Sequence, residues 1–471
     1  MAFGPLRSRL FLRSLSLRGH VKTNQPAATA FRQRVGYTHE GGKAGLVEAV
    51  AQLERQVATC LLFEDAFYES GSTIAAGIAA SAASVPVEEL ARIAVKARED
   101  YSLRHVPLFL VSHLEKRRSE APGLVAATLA RVIQRADELT EFLAVHARVN
   151  SKKPGELKDF VSAQIKKGLA KAFQKFTPYQ LAKYNRDEAI KLRDVLFLCH
   201  AKPKDQEQKD AWAKLVAGTL EAPDTWEVAL SAGADKKATW ERLLAEKKLG
   251  AFALIRNLRN MEQANVDRSA VLSALSEAKS RGILPFQFLA AFRHAPAYAQ
   301  GIETAMLNAL SESERLPGST LLVLDVSGSM DTPMSSKGTL NRIDAATGLA
   351  VLLREVSSDL RVFTFSNSLV EVPALRGLGL VSNVLNSQDH SGTYLRQTLL
   401  ALEKAVPKAD RIIVVTDEQS QDGNHKPWIE RAYLINVAPY KPGLDTNGGW
   451  TRINGFSERV VDFIRYEEAA K

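Results

Sequence analysis

The sequence predicts two parts: an all-α array of the HEAT solenoid type, then an α/β domain with a doubly wound parallel sheet. Three observations carry this. From about residue 43 to 285 apolar residues recur at three- and four-residue steps, with no strand pattern. From about 317 short, β-rich apolar runs alternate with helical stretches. Between them "ALSESERLPG" (309–318) is polar and ends in Pro-Gly, the composition of a boundary.

In the first part, "GLVEAVAQLERQVATCLLFED" places Leu46, Val50, Leu53 and Val57 on one amphipathic stripe. "PVEELARIAVKARED", "GLVAATLARVIQRADELTEFLAVHARV" and "ELKDFVSAQIKKGLAKAFQKF" follow the same rule. Pro86, Pro107, Pro122–Gly123, Pro154–Gly155, Pro178, Pro203 and Pro223 punctuate them. Helices of this length joined by short turns stack as pairs. A generic helical domain is the competing expectation.

In the second part, "STLLVLDV" (319–326), "LRVFTFS" (360–366), "RIIVVTD" (411–417) and "AYLINVA" (432–438) are apolar throughout, as strands covered on both faces must be. Helices are expected at 341–358, 394–406 and 457–470. Such a sheet binds its ligands beyond the carboxyl ends of its strands.

Charge is distributed unevenly. The net charge is +9, yet residues 317–471 hold 16 basic and 18 acidic side chains. Residues 152–193 hold 11 basic and 4 acidic ones, and residues 1–39 hold seven Lys and Arg with no acid. A solvated helix face and a polyanion contact are both open readings of such a block. Lys167, Lys171 and Lys175 fall at i, i+4 and i+8, so they share a helix face. Like charges so aligned repel unless an anion neutralises them. Lys166, Lys183, Arg186, Lys191 and Arg193 extend the positive set. Contacts of this type read phosphate and shape, each adding roughly 0.7–0.9 to the salt slope of log K. Residues 1–20, rich in Arg, Leu and Ser, read as a flexible basic arm or as a transit peptide.

Several classes are excluded or unsupported. The two cysteines, Cys60 and Cys199, cannot build a disulfide framework or a cysteine zinc site, and they fit a reducing compartment. No apolar run reaches the length of a membrane span. There is no GxxxxGK[ST] phosphate loop, and "VSGSM" lacks the flanking glycines of a nucleophile elbow. His390 adjoins a candidate site loop, but a single histidine there does not make a base.

The most specific stretch is "LLVLDVSGSMD" (321–331). It delivers Asp325, Ser327 and Ser329 to the carboxyl end of the first strand. These are hard oxygen donors, suited to Mg²⁺. Turn capping by the two serines, and helix capping by Asp417, are the structural alternatives. The run resembles the D-x-S-x-S signature of the metal-ion-dependent adhesion site in von Willebrand factor A domains. By that resemblance Thr393 in "HSGTYL" and Asp417 in "VVTDEQS" complete the site. The metal then bridges to a partner's carboxylate without turnover.

The helical part resembles the TROVE module of Ro-type RNA-binding proteins. The similarity lies in "LAKAFQKFTPYQLAKYNRDEAIKLRDVLFLCHAKPK" (169–204), "LIRNLRNM" (254–261), "LPFQFLAAFR" (284–293) and the segments "NQPAATAFRQRVGYTHEGGKAGL" and "FEDAFYESGSTIA". It implies a basic arm over 1–21, a TROVE domain over 22–310 closed into a ring, and an A domain over 317–471. It also implies a non-enzymatic, cytoplasmic, monomeric protein. Such a protein binds small noncoding Y-like RNA on its outer basic surface and single-stranded 3′ ends of misfolded RNA in the ring, and its relatives act with an exoribonuclease. The family's Y RNA contacts match His200 and Lys183, whereas its upstream Arg aligns to Asp187, one residue from Arg186. Arg256 and Arg259 either face an opening or pair with acids, and Tyr179 and Tyr184 either stack on bases or pack in the core. The rival functions are a Mg²⁺-dependent scaffold that grips an acidic partner and a subunit of an ATP-driven metal-insertion machine.

Overall fold

The structure, a computed structural model, describes residues 49–59, 71–153, 156–334, 340–437, 449–454 and 458–469. The basic arm, the 24–46 segment and Cys60 lie outside the described residues. The chain forms two compact units. One holds residues 79–314; the other combines residues 1–78 with 315–471.

The 79–314 unit is helical throughout its described residues. Helices close in sequence pack on each other, for instance Val87–Glu99 on His105–Glu115 and Leu124–Val132 on Ala163–Phe173. The last contact is close because Gly168 faces it: a Cβ there would lie 3.0 Å from Leu129 Cβ. Two helices that the periodicity runs together are broken. The 123–149 stretch ends its first helix at Val132, with Ile133 extended, and restarts at Asp137. Buried Glu138 causes the break, its Oε2 accepting from the backbone N–H of Gln134 at 2.8 Å and of Arg135 at 3.0 Å. Glu138 Oε1 meets Arg98 Nη2 at 2.7 Å, so the buried charge is paired. The 156–176 stretch likewise restarts after Ser162, an N-cap for the backbone N–H of Ile165 at 3.2 Å.

The other unit carries a six-stranded sheet: β1 (Leu316–Asp325), β2 (Ser357–Phe365), β3 (Leu369–Val372), β4 (Arg411–Thr416), β5 (Arg431–Asn436) and β6 (Trp450–Asn454). Their spatial order is β3-β2-β1-β4-β5-β6, parallel except for the antiparallel edge strand β3. This is the doubly wound arrangement expected. On one face the helix Leu395–Ala405 buries Leu395, Leu399 and Leu402 against Leu321, Val323, Ile412 and Val414. The helix Arg342–Val356 packs on β1 and β2. The N-terminal helix Ala49–Thr59 belongs to this unit too. It packs on the C-terminal helix Val460–Ala469 and on β6, with Leu53 and Val57 buried.

The direction of winding reverses between β1 and β4, whose carboxyl ends carry Asp325 and Asp417.

Candidate metal centre and nucleic-acid interface

The sheet delivers Asp325 as the last residue of β1, opposite Phe365 of β2. Beyond it the chain turns sharply. Ser327 N–H donates to Asp325 Oδ1 at 2.9 Å, and the Ser327 and Ser329 hydroxyls lie 3.2 Å apart. Gly328 N–H donates to the Ser391 carbonyl at 3.2 Å, tying this loop to the one that carries Thr393. The Thr393 carbonyl accepts from Gln421 N–H at 2.8 Å, tying that loop to the one after Asp417. Three loops from distant parts of the sequence are thus laced together over one end of the sheet. Asp325, Ser327, Thr393 and Asp417 are buried there.

The donor chemistry fits a hard divalent cation. Asp325 and Asp417 are each 0% exposed. The partners of Asp325 are the Ser327 N–H and the Thr416 hydroxyl at 2.6 Å, both neutral. Burial, chiefly, pushes its pKa up to about 6, and the neighbouring Asp417 carboxylate pushes the same way. A cation would remove that penalty. Among the described residues no three His, Cys, Asp or Glu side chains converge on one point. A metal here would therefore rest on two carboxylates and three hydroxyls, the set suited to Mg²⁺. Asp417 differs from Asp325: its Oδ2 accepts from Arg342 Nη1 at 2.9 Å. Arg342 was not among the residues expected at this site. His390 is held by Asp331 Oδ2 at 3.0 Å and by the Leu385 carbonyl at 3.1 Å.

The basic block lies in the helical unit. On the helix Ala163–Phe173 the buried face is Ile165, Gly168, Leu169, Ala172 and Phe173. Lys167 and Lys171 are exposed on the opposite side and Lys166 is half-buried. Lys175 has another role. Its ammonium reaches the carbonyls of Ala130, at 2.6 Å, and Ile133, at the end of the helix Leu124–Val132. That satisfies carbonyls the helix leaves open. Lys191 pairs with Asp187, and Arg193 lies 3.9 Å from Asp194. Arg186 lines a small cleft with Asp137, Glu141, Glu188 and Tyr184. Tyr184 is half-buried beneath Arg135, whose guanidinium lies 4.8 Å from the ring. Lys183 and His200 are exposed, His200 ending its helix at φ 51°. Of the expected cations, Lys167, Lys171 and Lys183 are exposed and have no acidic partner among the described residues.

A second surface carries Arg256 and Arg259, whose setting the sequence left open, beside an aromatic it did not single out. On the helix Ala251–Gln263, Phe252 is 45% exposed and the Arg256 guanidinium lies 5.6 Å from its ring. Arg259 follows one turn on, and both arginines are exposed. Neither makes an ion pair among the described residues, whereas Arg242 and Lys248 close by in sequence both bind Asp224. Tyr179 and Phe197 are likewise half exposed or more. The visible signal for the Phe252 surface was an aromatic four residues before an arginine.

The TROVE domain model matches residues 210–306, and the Ro60 vWA domain model matches residues 319–430. Among solved structures the fold resembles the crystal structure of the Deinococcus radiodurans RO (RSR) protein. The TM-score is 0.61 at 18% identity, over 89% of this chain and all of that one. No curated protein sequence matches the chain.

Proposed function

Because the chain is a Ro-type TROVE protein with a C-terminal von Willebrand factor A domain, we propose that it is a non-enzymatic RNA-binding protein. It takes small, Y-like noncoding RNA on the surface that carries Lys167, Lys171, Lys183 and His200. Single-stranded 3′ ends of misfolded RNA occupy a separate surface, for which Phe252, Arg256 and Arg259 are the best fitted residues. The protein serves RNA quality control, maturation or decay beside an exoribonuclease, as a monomer in the cytoplasm. The observation that carries the reading is Lys167 and Lys171, exposed one turn apart with no acidic partner among the described residues. Two such ammonium groups repel each other in the free protein and are relieved by a phosphate backbone. Aromatic rings flanked by arginine suit an unpaired base.

In this proposal Asp325, Ser327, Ser329, Thr393 and Asp417 hold Mg²⁺, which supplies a fixed positive charge for an outer ligand. Capture of an acidic protein partner there is the rival function, and the burial of Asp325 beside only neutral donors favours keeping it.

Purified full-length protein should carry RNA that high salt removes. Lys167→Glu with Lys171→Glu should weaken binding of a structured noncoding RNA at least about tenfold, with the circular dichroism unchanged. Wild-type affinity in that variant would remove the basic helix from the site. Partner capture that chelator abolishes, with no RNA bound, would favour the scaffold.

A further inference from the structure

We propose that Arg342 is a built-in counter-ion of the metal centre, which keeps the cation-loaded site positively charged and so selects an anion as its outer ligand. The inference rests on the reading of this end of the sheet as a Mg²⁺ site.

Arg342 opens the helix Arg342–Val356 and is 7% exposed. Its Nη1 donates to Asp417 Oδ2 at 2.9 Å and to the Ser329 carbonyl at 3.1 Å. One guanidinium therefore touches two of the loops that carry candidate metal ligands. Its position is an awkward one for a cation. The first turn of a helix presents the positive end of the backbone dipole, which disfavours a cation there. Burial adds to that cost unless an anion lies close. Asp417 is that anion.

The two carboxylates are thereby made unequal. Asp417 has a permanent positive neighbour, because a guanidinium does not lose its proton in a protein. Asp325 has neutral donors only. Counting formal charges, two carboxylates and one guanidinium leave the empty centre at −1. A divalent cation brings it to +1. Without Arg342 the same centre would pass from −2 to neutral. Arg342 thus weakens the attraction for the cation and leaves an unbalanced positive charge in a buried place, where a carboxylate or phosphate oxygen completes the balance. The first of these bonds holds Asp417 Oδ2, while Oδ1 accepts from the Gln419 N–H at 3.3 Å, so the carboxylate is oriented from both sides.

The test is calorimetric titration of full-length protein with MgCl₂, with and without acetate as a simple carboxylate probe. Arg342→Gln should bind Mg²⁺ about tenfold more tightly than wild type, since a unit of repulsion is gone. Arg342→Lys, which keeps the charge, should stay within about threefold of wild type. Acetate should tighten Mg²⁺ binding to wild type and leave that to Arg342→Gln unchanged. Equal or weaker Mg²⁺ binding by a folded Arg342→Gln would overturn the proposal and reduce Arg342 to an orienting group. If that variant does not fold, absence of the acetate effect in wild type overturns it equally well. Wild type that takes up no Mg²⁺, matching an Asp325→Ala control, would instead refute the metal centre itself.

Discussion

Lys175 and Lys171 stand one turn apart in sequence and both are exposed, yet only Lys175 commits its ammonium to backbone carbonyls. Lys175 closes the end of a neighbouring helix, and burial lowers its pKa. Nothing in a lysine stripe distinguishes the two, because the acceptor carbonyls come from 45 and 42 residues away. Buried histidines follow the same principle of context over type. His146 is 2% exposed, bonded through Nδ1 to the Ser112 hydroxyl at 2.8 Å and stacked between Phe142 and Phe160. Burial, above all, lowers its pKa to about 4, and does the same for His105 and His113. The native ring therefore stays neutral where the unfolded ring, near 6.5, takes up a proton. The stability these histidines contribute should fall as pH drops from about 6.5 towards 4, and be fully present above that window. Urea unfolding at pH 7 and 5.5 should differ by roughly 1 kcal/mol for each such histidine. The raised pKa values of Glu141, to about 7, and Asp325, to about 6, act in the opposite sense, so the readout is the comparison with His146→Phe. That variant should lose about 1 kcal/mol of this histidine-type pH dependence, and an unchanged profile in it would contradict the assignment.

At the level of elements, the C-terminal helix is locked to the sheet by charge as well as by apolar contact. Arg411 at the start of β4 is fully buried. Its Nε donates to Glu468 Oε1 at 2.9 Å, a second nitrogen reaches Oε2, and Nη1 donates to Thr320 Oγ1 at 2.9 Å. The Tyr433 hydroxyl donates to the same carboxylate at 3.2 Å. Glu468→Ala leaves a buried guanidinium unpaired and should cost about 3–5 kcal/mol in urea unfolding. A loss below about 1 kcal/mol would mean that water replaces the carboxylate. The strands that this lock joins were legible because β1, β2, β4 and β5 are buried apolar runs. Strand β3, "LVEV", was missed as a short, half-exposed edge, and β6, "WTRIN", as a short run with polar residues inside it. The helix Gly377–Leu385 was missed because two glycines and two valines mask its period. Periodicity also bridged the break at Ile133–Ala136, which depends on the burial of one glutamate. For the site, D-x-S-x-S marks oxygen donors in one loop. Arg342 could not be read, since it reaches Asp417 only through the winding of the sheet.

On the scale of the whole molecule, the helical unit occupies one unbroken stretch of sequence, and the other unit is assembled from both sides of it. Residues 79–314 expressed alone should therefore fold, and retain RNA binding within about tenfold of the full chain. Failure of a folded fragment to bind would move the RNA contacts elsewhere. The split unit has a different consequence, for synthesis. The helix Val460–Ala469, on which the helix Ala49–Thr59 packs, is made about 400 residues after it. At roughly 5–20 residues per second, Leu53 and Val57 wait on the order of 20–80 s for their cover. Nascent chains should need protection in that interval, and the α/β unit is completed only after the whole helical unit has been synthesised.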